Sequence, residues 1–262
     1  MKHILVFLFL FNCCFSQNIE LSLANKNYDS QNFKEAIYWY TKYLDKNDTS
    51  AYSYCLRAVC YSLIGDSVKA MEDFNKALSL DKKNPKIFYQ LGQFHFFNKK
   101  FKTAITNYNE ALKIKERPEY YHGKALSYFM LRDVNSAIDN ETKSILIDST
   151  YSEAIANRGY YYYLLEKNTL SLKDLNSAIK LNPKDFVSYA NRAMTYLKIG
   201  KKEEAVSDLS SALSIKPDAD DLLIKRGELY LELNKKDEAC TDYMNAVKLN
   251  SKIKTNKKFC VN

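Results

Sequence analysis

The sequence predicts an all-α chain built from about seven helix hairpins of nearly equal length, stacked in one line. Three observations predict it. The four prolines, Pro85, Pro118, Pro183 and Pro217, are separated by 33, 65 and 34 residues, and proline ends helices. Segments such as "LSLKDLNSAIKLNP" (170–183) and "EAVSDLSSALSIKP" (204–217) align at an offset of 34. Small residues recur at fixed places within each period, the mark of a repeat array rather than a single globular core.

The elements follow in chain order. Residues 1–16 read as a secretory signal peptide: a basic start at Lys2 and His3, an apolar run from Ile4 to Phe11, then a cut after Ser16. The apolar run is too short to span a bilayer, which takes about 20 residues. Lipid attachment at Cys13 or Cys14 is the competing reading, and the one route to a membrane. The expected location is therefore exported, periplasmic or secreted.

Seven repeats then run over 17–50, 51–84, 85–117, 118–151, 152–185, 186–219 and 220–253. Number each from its own start. Position eight reads Ala24, Ala58, Gly92, Ala125, Gly159, Ala193 and Gly227. Position twenty reads Ala36, Ala70, Ala104, Ala137, Ser171, Ala205 and Ala239. Positions four, seven, eight and eleven form one face of a first helix, and twenty, 24 and 27 one face of a second. Gly65, Gly200 and Asn234 sit between them at position fifteen, where a left-handed residue ends a helix. Residues 254–262 are a basic tail.

Small at eight, aromatic at eleven, alanine at twenty, Phe74, Tyr108, Leu175, Leu209 or Tyr243 at 24, and Pro183 or Pro217 at 32 together resemble the tetratricopeptide repeat. The resemblance covers 17 to about 253. It implies a right-handed superhelical solenoid whose first helices line a concave face, and a protein that binds other proteins or peptides.

"YYYY" at 160–163 is read on that helix: Tyr162 at position eleven in the core, Tyr160 and Tyr163 toward the groove, Tyr161 at the interface with a neighbouring repeat or at the rim. Positions seven and 23 carry matched charges sixteen residues apart: Arg57 with Asp73, Arg158 with Asp174, Arg192 with Asp208, Arg226 with Asp242. Where Leu23 or Leu91 replaces Arg, Asp is absent, so these read as structural ion pairs. Repeat four departs from the rule, with Lys124 at seven, Asn140 at 23 and Glu141 at 24, and Lys124 is expected to reach Glu141.

After cleavage four cysteines remain. Cys55 and Cys60 are badly spaced for bridging each other on one helix. Cys240 and Cys260 are read as a disulfide that folds the tail over the last repeat, worth about 3 kcal/mol for a loop of about 20 residues; two free thiols is the alternative.

Catalysis finds no constellation. His95 stands at the core position eleven and His122 at position five; neither belongs to a pair at metal-ligand spacing, and there is no Gly-rich phosphate loop. The reading is a non-enzyme with no cofactor and no metal. The net charge of +8 is spread over helix faces, with one dense cluster in the tail, so nucleic acid is not the expected partner.

In the family resembled, groove residues come from positions two, five, nine, twelve and thirteen of first helices. Here they include Tyr52, Tyr89, Gln93, Phe96, Phe97, His122, Leu126, Phe129, Tyr160, Tyr163 and Met194. The basic partners of a carboxylate clamp are missing around Asn157 and Asn191, which disfavours capture of a C-terminal tail. Two functions stay open: a protein-binding scaffold with an aromatic groove in the cell envelope, or a structural spacer of an envelope complex using its convex face and basic tail.

Overall fold

The computed structural model describes residues 19–250. The signal-peptide reading, Cys13, Cys14, Cys260 and the tail all lie outside them. Fourteen helices and no strand occur among the described residues. They are α1 (19–29), α2 (Phe33–Leu44), α3 (Ala51–Leu63), α4 (Ser67–Leu80), α5 (Pro85–Phe97), α6 (Phe101–Ile114), α7 (Pro118–Met130), α8 (Val134–Ile147), α9 (Ser152–Leu164), α10 (Asn168–Leu181), α11 (Phe186–Lys198), α12 (Lys202–Ile215), α13 (Asp220–Glu232) and α14 (Lys236–Leu249). The chain forms two compact units, one ending at Leu131 with α7 and one beginning at Arg132 with α8.

Each turn from a first helix to a second holds one left-handed residue, always at position fifteen. Gly65 (φ +87°) and Gly200 (φ +77°) adopt it freely, and Asn234 (φ 61°) tolerates it. Gln31, Lys99, Arg132 and Glu166 adopt the same conformation with φ between 56° and 67°. Sequence reading found only the glycines and the asparagine; the turn imposes the angle on whatever residue occupies it. Two of the second helices start with a side-chain cap, Asp66 accepting from the Lys69 amide and Asp133 from the Ser136 amide. Pro85 and Pro118 open α5 and α7, where a missing amide hydrogen costs nothing.

Packing joins position eight of a first helix to position 24 of the second. Tyr40, Phe74, Tyr108, Leu175 and Leu209 at position 24 are fully buried, and every residue at position eight is buried. A Cβ added to Gly92 would lie 2.6 Å from the Tyr108 ring, and one added to Gly123 2.7 Å from it. The two missing side chains are the space in which that tyrosine sits.

Within "YYYY" the burial differs from expectation. Tyr162, read as core, is half-buried, while Tyr161, read at the interface with a neighbouring repeat or at the rim, is fully buried, as the first of those places requires. Position ten is enclosed in every repeat after the first: Cys60, Phe94, Ser127, Thr195 and Leu229 are buried there too. The cause lies outside the hairpin. Cys60, for example, joins the core cluster of Ala24, Ala36 and Tyr40 from the preceding repeat.

Candidate functional site

Two sets of side chains have geometry beyond simple packing. The first is the charged staple. Arg57 grips Asp73 with two parallel bonds, Nε to Oδ2 at 2.7 Å and Nη2 to Oδ1 at 2.8 Å. Arg158 does the same to Asp174 at 2.7 and 3.0 Å, Arg192 to Asp208 at 2.7 and 2.6 Å, and Arg226 to Asp242 at 2.8 and 2.7 Å. Each remaining Nη1 donates to position 25 of the preceding repeat: Thr41 at 3.0 Å, Thr142 at 3.2 Å, Asn176 at 2.6 Å and Ser210 at 2.9 Å. Each arginine therefore ties three helices.

The tyrosine at position eleven covers that cation. Tyr61, Tyr162, Tyr196 and Tyr230 lie 5.7–6.0 Å from Arg57, Arg158, Arg192 and Arg226, and Tyr128 is 5.8 Å from the Lys124 ammonium. Where Leu91 stands at seven, His95 stands at eleven. His95 is buried beside Phe94, its Nδ1 has no hydrogen-bond partner, and burial, with Lys100 adding, holds its pKa below the usual histidine value. In repeat four, Glu141 is fully buried and its carboxylate accepts from the Asn157 amide at 3.5 Å. Apart from the His95 ring nitrogen, these groups are occupied with one another; they hold the helices.

The second set lies on the first-helix face of the N-terminal unit. Tyr28, Val59, Ser62, Leu63, Phe74, Gln90, Gln93, Phe94 and Phe97 line a pocket of about 220 Å³. Among the described residues no charged side chain lines it. Phe97 is 72% exposed and Leu63 53% exposed at its mouth, so the two set apolar surface side by side at its rim. Phe96 supports Phe97 edge-on at 5.7 Å and itself rests against Phe101 at 5.5 Å. Gln93 Nε2 donates to the Tyr89 hydroxyl at 2.9 Å, and the Tyr89 ring lies 4.9 Å from Tyr120 and 5.9 Å from Tyr108. Burial pushes the Tyr89 hydroxyl up to about 12, so it stays protonated.

The expected groove residues divide accordingly. Gln93 and Phe97 line the pocket, with Phe96 and Tyr89 behind them. Tyr52 is exposed under the Lys86 ammonium at 5.4 Å. His122, Leu126 and Phe129 are half-buried on α7. Tyr160 and Tyr163 stack at 6.1 Å in the C-terminal unit, where Met194 is half-buried on α11. Sequence reading passed over Tyr28, Val59, Ser62 and Leu63, although they occupy groove positions nine, twelve and thirteen. It had no signal for Gln90, Phe94 and Phe74, which reach the pocket from other positions.

Tetratricopeptide repeat models match residues 175–207 and 220–253, and the model of anaphase-promoting complex, cyclosome, subunit 3 matches residues 29–111. The chain is a tetratricopeptide repeat protein. Hsp70-Hsp90 organizing protein 3 of Arabidopsis thaliana is 29% identical over 94 residues, 36% of this chain and 17% of its own. The chain thus spans about a sixth of the length of the curated relatives it matches first. The C-terminal part of a repeat protein from Cytophaga hutchinsonii superposes with a TM-score of 0.68 at 22% identity, over 92% of this chain and 98% of that one. YrrB, described as a repeat protein with an unusual peptide-binding site, superposes at 0.56 with 20% identity, over 75% and 97%. A tetratricopeptide repeat fold supports a role as a protein–protein interaction scaffold.

Proposed function

We propose that this repeat protein is a non-enzymatic scaffold of the cell envelope that captures a protein segment on the first-helix face of its N-terminal unit. One observation carries the reading: a solvent-facing Phe97 beside Leu63, at the mouth of an uncharged pocket of about 220 Å³. An apolar ring held in place by neighbouring aromatics is the kind of anchor that concentrates binding energy. Gln90 and Gln93 set amide groups at the edge of the same pocket, positioned to meet a peptide backbone or a polar side chain. The peptide-binding site in YrrB's description and the names of the organizing-protein relatives point the same way. The envelope assignment rests on the reading of residues 1–16 as a signal.

The test is crosslinked capture from envelope extract by the full chain and by the pair Leu63→Ser, Phe97→Ser. Both side chains are more than half exposed, so the pair should fold with an unchanged melting temperature. Loss of the captured protein is the expected result. Undiminished capture would move the binding surface elsewhere and favour the structural-spacer reading, in which the convex face and basic tail make the contacts.

A further inference from the structure

The pocket of the N-terminal unit has a side chain of its own size standing beside it. Phe97 is 72% exposed at the mouth, with Phe96 edge-on against it at 5.7 Å. The pocket it borders measures about 220 Å³ and runs from Tyr28 on α1, past Val59 and Leu63 on α3, to Gln93 and Phe97 on α5. An apolar cavity of about 150 Å³ holds a benzene ring, so one further phenyl side chain fits. A ring that projects next to such a hole is self-complementary: two copies related by a two-fold axis each give a ring and receive one.

Charge decides how copies can meet. The chain carries a net charge of +8 and repels itself, so contact needs a face where like charges are absent or offset. Three turns flank the pocket in order. Positions thirteen to nineteen of repeat one hold Asp29, Lys34 and Glu35, a net charge of −1. Those of repeat two hold Asp66 and Lys69, a net of 0, and the two pair with each other at 3.2 Å. Those of repeat three hold Lys99, Lys100 and Lys102, a net of +3. The edge is thus acidic at one end, neutral in the middle and basic at the other. Copies facing each other in the same direction would set the three lysines of one against those of the other. Turned about an axis through the neutral middle, they set those lysines against the Asp29 turn at both ends.

We infer that two copies of this chain pair antiparallel across this edge, with Leu63 near the axis and the Phe97 ring of each copy seated in the pocket of the other, over Tyr28. The regulatory consequence rests on the reading of this pocket as the capture site: a self-paired chain has its pocket filled, so capture of a protein segment requires the pair to part. The contact is one pocket and three turns a side, and small interfaces are weak. A dissociation constant of about 10 μM leaves the pocket open in dilute protein and closed in concentrated protein.

The test is sedimentation of the full chain at concentrations from about 1 to 200 μM, bracketing that constant. A rise from monomer to dimer mass is expected. Phe97→Ser should weaken association by about tenfold or more, with the melting temperature unchanged because the ring is exposed. Lys99→Glu with Lys100→Glu leaves the pocket lining intact and should weaken association about tenfold, and adding Asp29→Lys to the same chain should restore it. A chain that stays monomeric throughout overturns the pairing. So does a dimer that Phe97→Ser or the charge reversal leaves intact, or that Asp29→Lys fails to restore.

Capture from envelope extract separates this pairing from the capture reading. At equal, dimer-forming concentration, Lys99→Glu with Lys100→Glu should capture more protein than the unaltered chain, because more pockets stand open. Equal or lower capture overturns the regulation. A monomeric chain whose capture still needs Leu63 and Phe97 ends the pairing and keeps the capture site. A dimer that obeys the charge swap, in a chain whose capture is undiminished by Leu63→Ser with Phe97→Ser, keeps the pairing and ends the pocket's role in capture.

Discussion

Arg226 holds Asp242 through two parallel hydrogen bonds, 2.8 and 2.7 Å long, and spends its third nitrogen on Ser210 one repeat earlier. The same fork occurs at Arg57, Arg158 and Arg192, and in all four pairs the carboxylate side chain is 3–9% exposed. Removing one partner strands a buried charge, whereas removing both leaves an apolar contact. Asp208→Leu should therefore cost about 3 kcal/mol in urea unfolding, and the double change Arg192→Leu with Asp208→Leu should recover most of it. Additive losses would mean that the pair is not coupled. Thr41→Val removes only the bond between repeats and should cost about 1 kcal/mol.

Tyr108 fills the space left by two absent side chains. Gly92→Ala would place a Cβ 2.6 Å from the tyrosine ring, and the same ring lies so near Gly123 that a Cβ there would come within 2.7 Å of it. The ring cannot retreat, so the cost is about 2 kcal/mol, typical of overpacking a filled core. Gly227→Ala meets Tyr243 at 3.2 Å, on a ring that is only half-buried, and should cost less. Thermal melts of the two variants compare them directly. Tyr108→Leu combined with Gly92→Ala should be more stable than Gly92→Ala with the ring intact.

Lys99 occupies a left-handed turn at φ 59° with an exposed side chain. That conformation costs a residue with a Cβ about 1 kcal/mol, and glycine adopts it freely. Lys99→Gly should raise stability by about 0.5–1 kcal/mol, the steric relief outweighing the added freedom of the unfolded chain. Gly65→Ala, at φ +87° with open space around it, should lower stability by a similar amount for purely conformational reasons. A chemical-denaturation midpoint that moved downward for Lys99→Gly would contradict this account.

How far such features can be read from sequence depends on what sets them. The helix pairs are fixed by residues three, four and seven apart, so composition along one strip of helix is enough. The meeting of Arg158 with Asp174 is set by hairpin length, and sixteen-residue spacing places the two on facing helices. Tyr161 is different. Its burial is set by the repeat packed against it, so position ten alone leaves open whether it is enclosed by that neighbour or left at the rim. The bond from Arg158 to Thr142 was missed for a related reason: a threonine on a polar stretch of helix carries no mark of the neighbour that will use it. The left-handed turn at Lys99 is invisible because lysine does not announce it. The pocket fell between these cases. Gln93 and Phe97 stood at groove positions, while Gln90 and Phe94 reach it from positions six and ten of α5, which the repeat pattern does not assign to a groove.

Cys55 and Cys60 are fully buried on α3 as free thiols, and burial pushes both up to about 12. An unfolded cysteine titrates near pH 8.5. The folded value lies above the unfolded one, so the folded state holds its protons more tightly. The stabilisation is fully present below about pH 8.5 and is lost as pH rises toward 12, because only the unfolded chain then gains by ionising. Urea midpoints measured at pH 7.5, 9 and 10.5 should fall steadily, and Cys55→Ala should flatten part of the slope while lowering stability at neutral pH through the small cavity it leaves. At pH 7.5 a thiol reagent should label both residues far more slowly than a free cysteine, and at the same rate once the chain is unfolded in urea. Rapid labelling of the folded protein would mean that α3 opens without global unfolding, which the packing of Cys55 beside Phe74 and of Cys60 beside Tyr40 argues against.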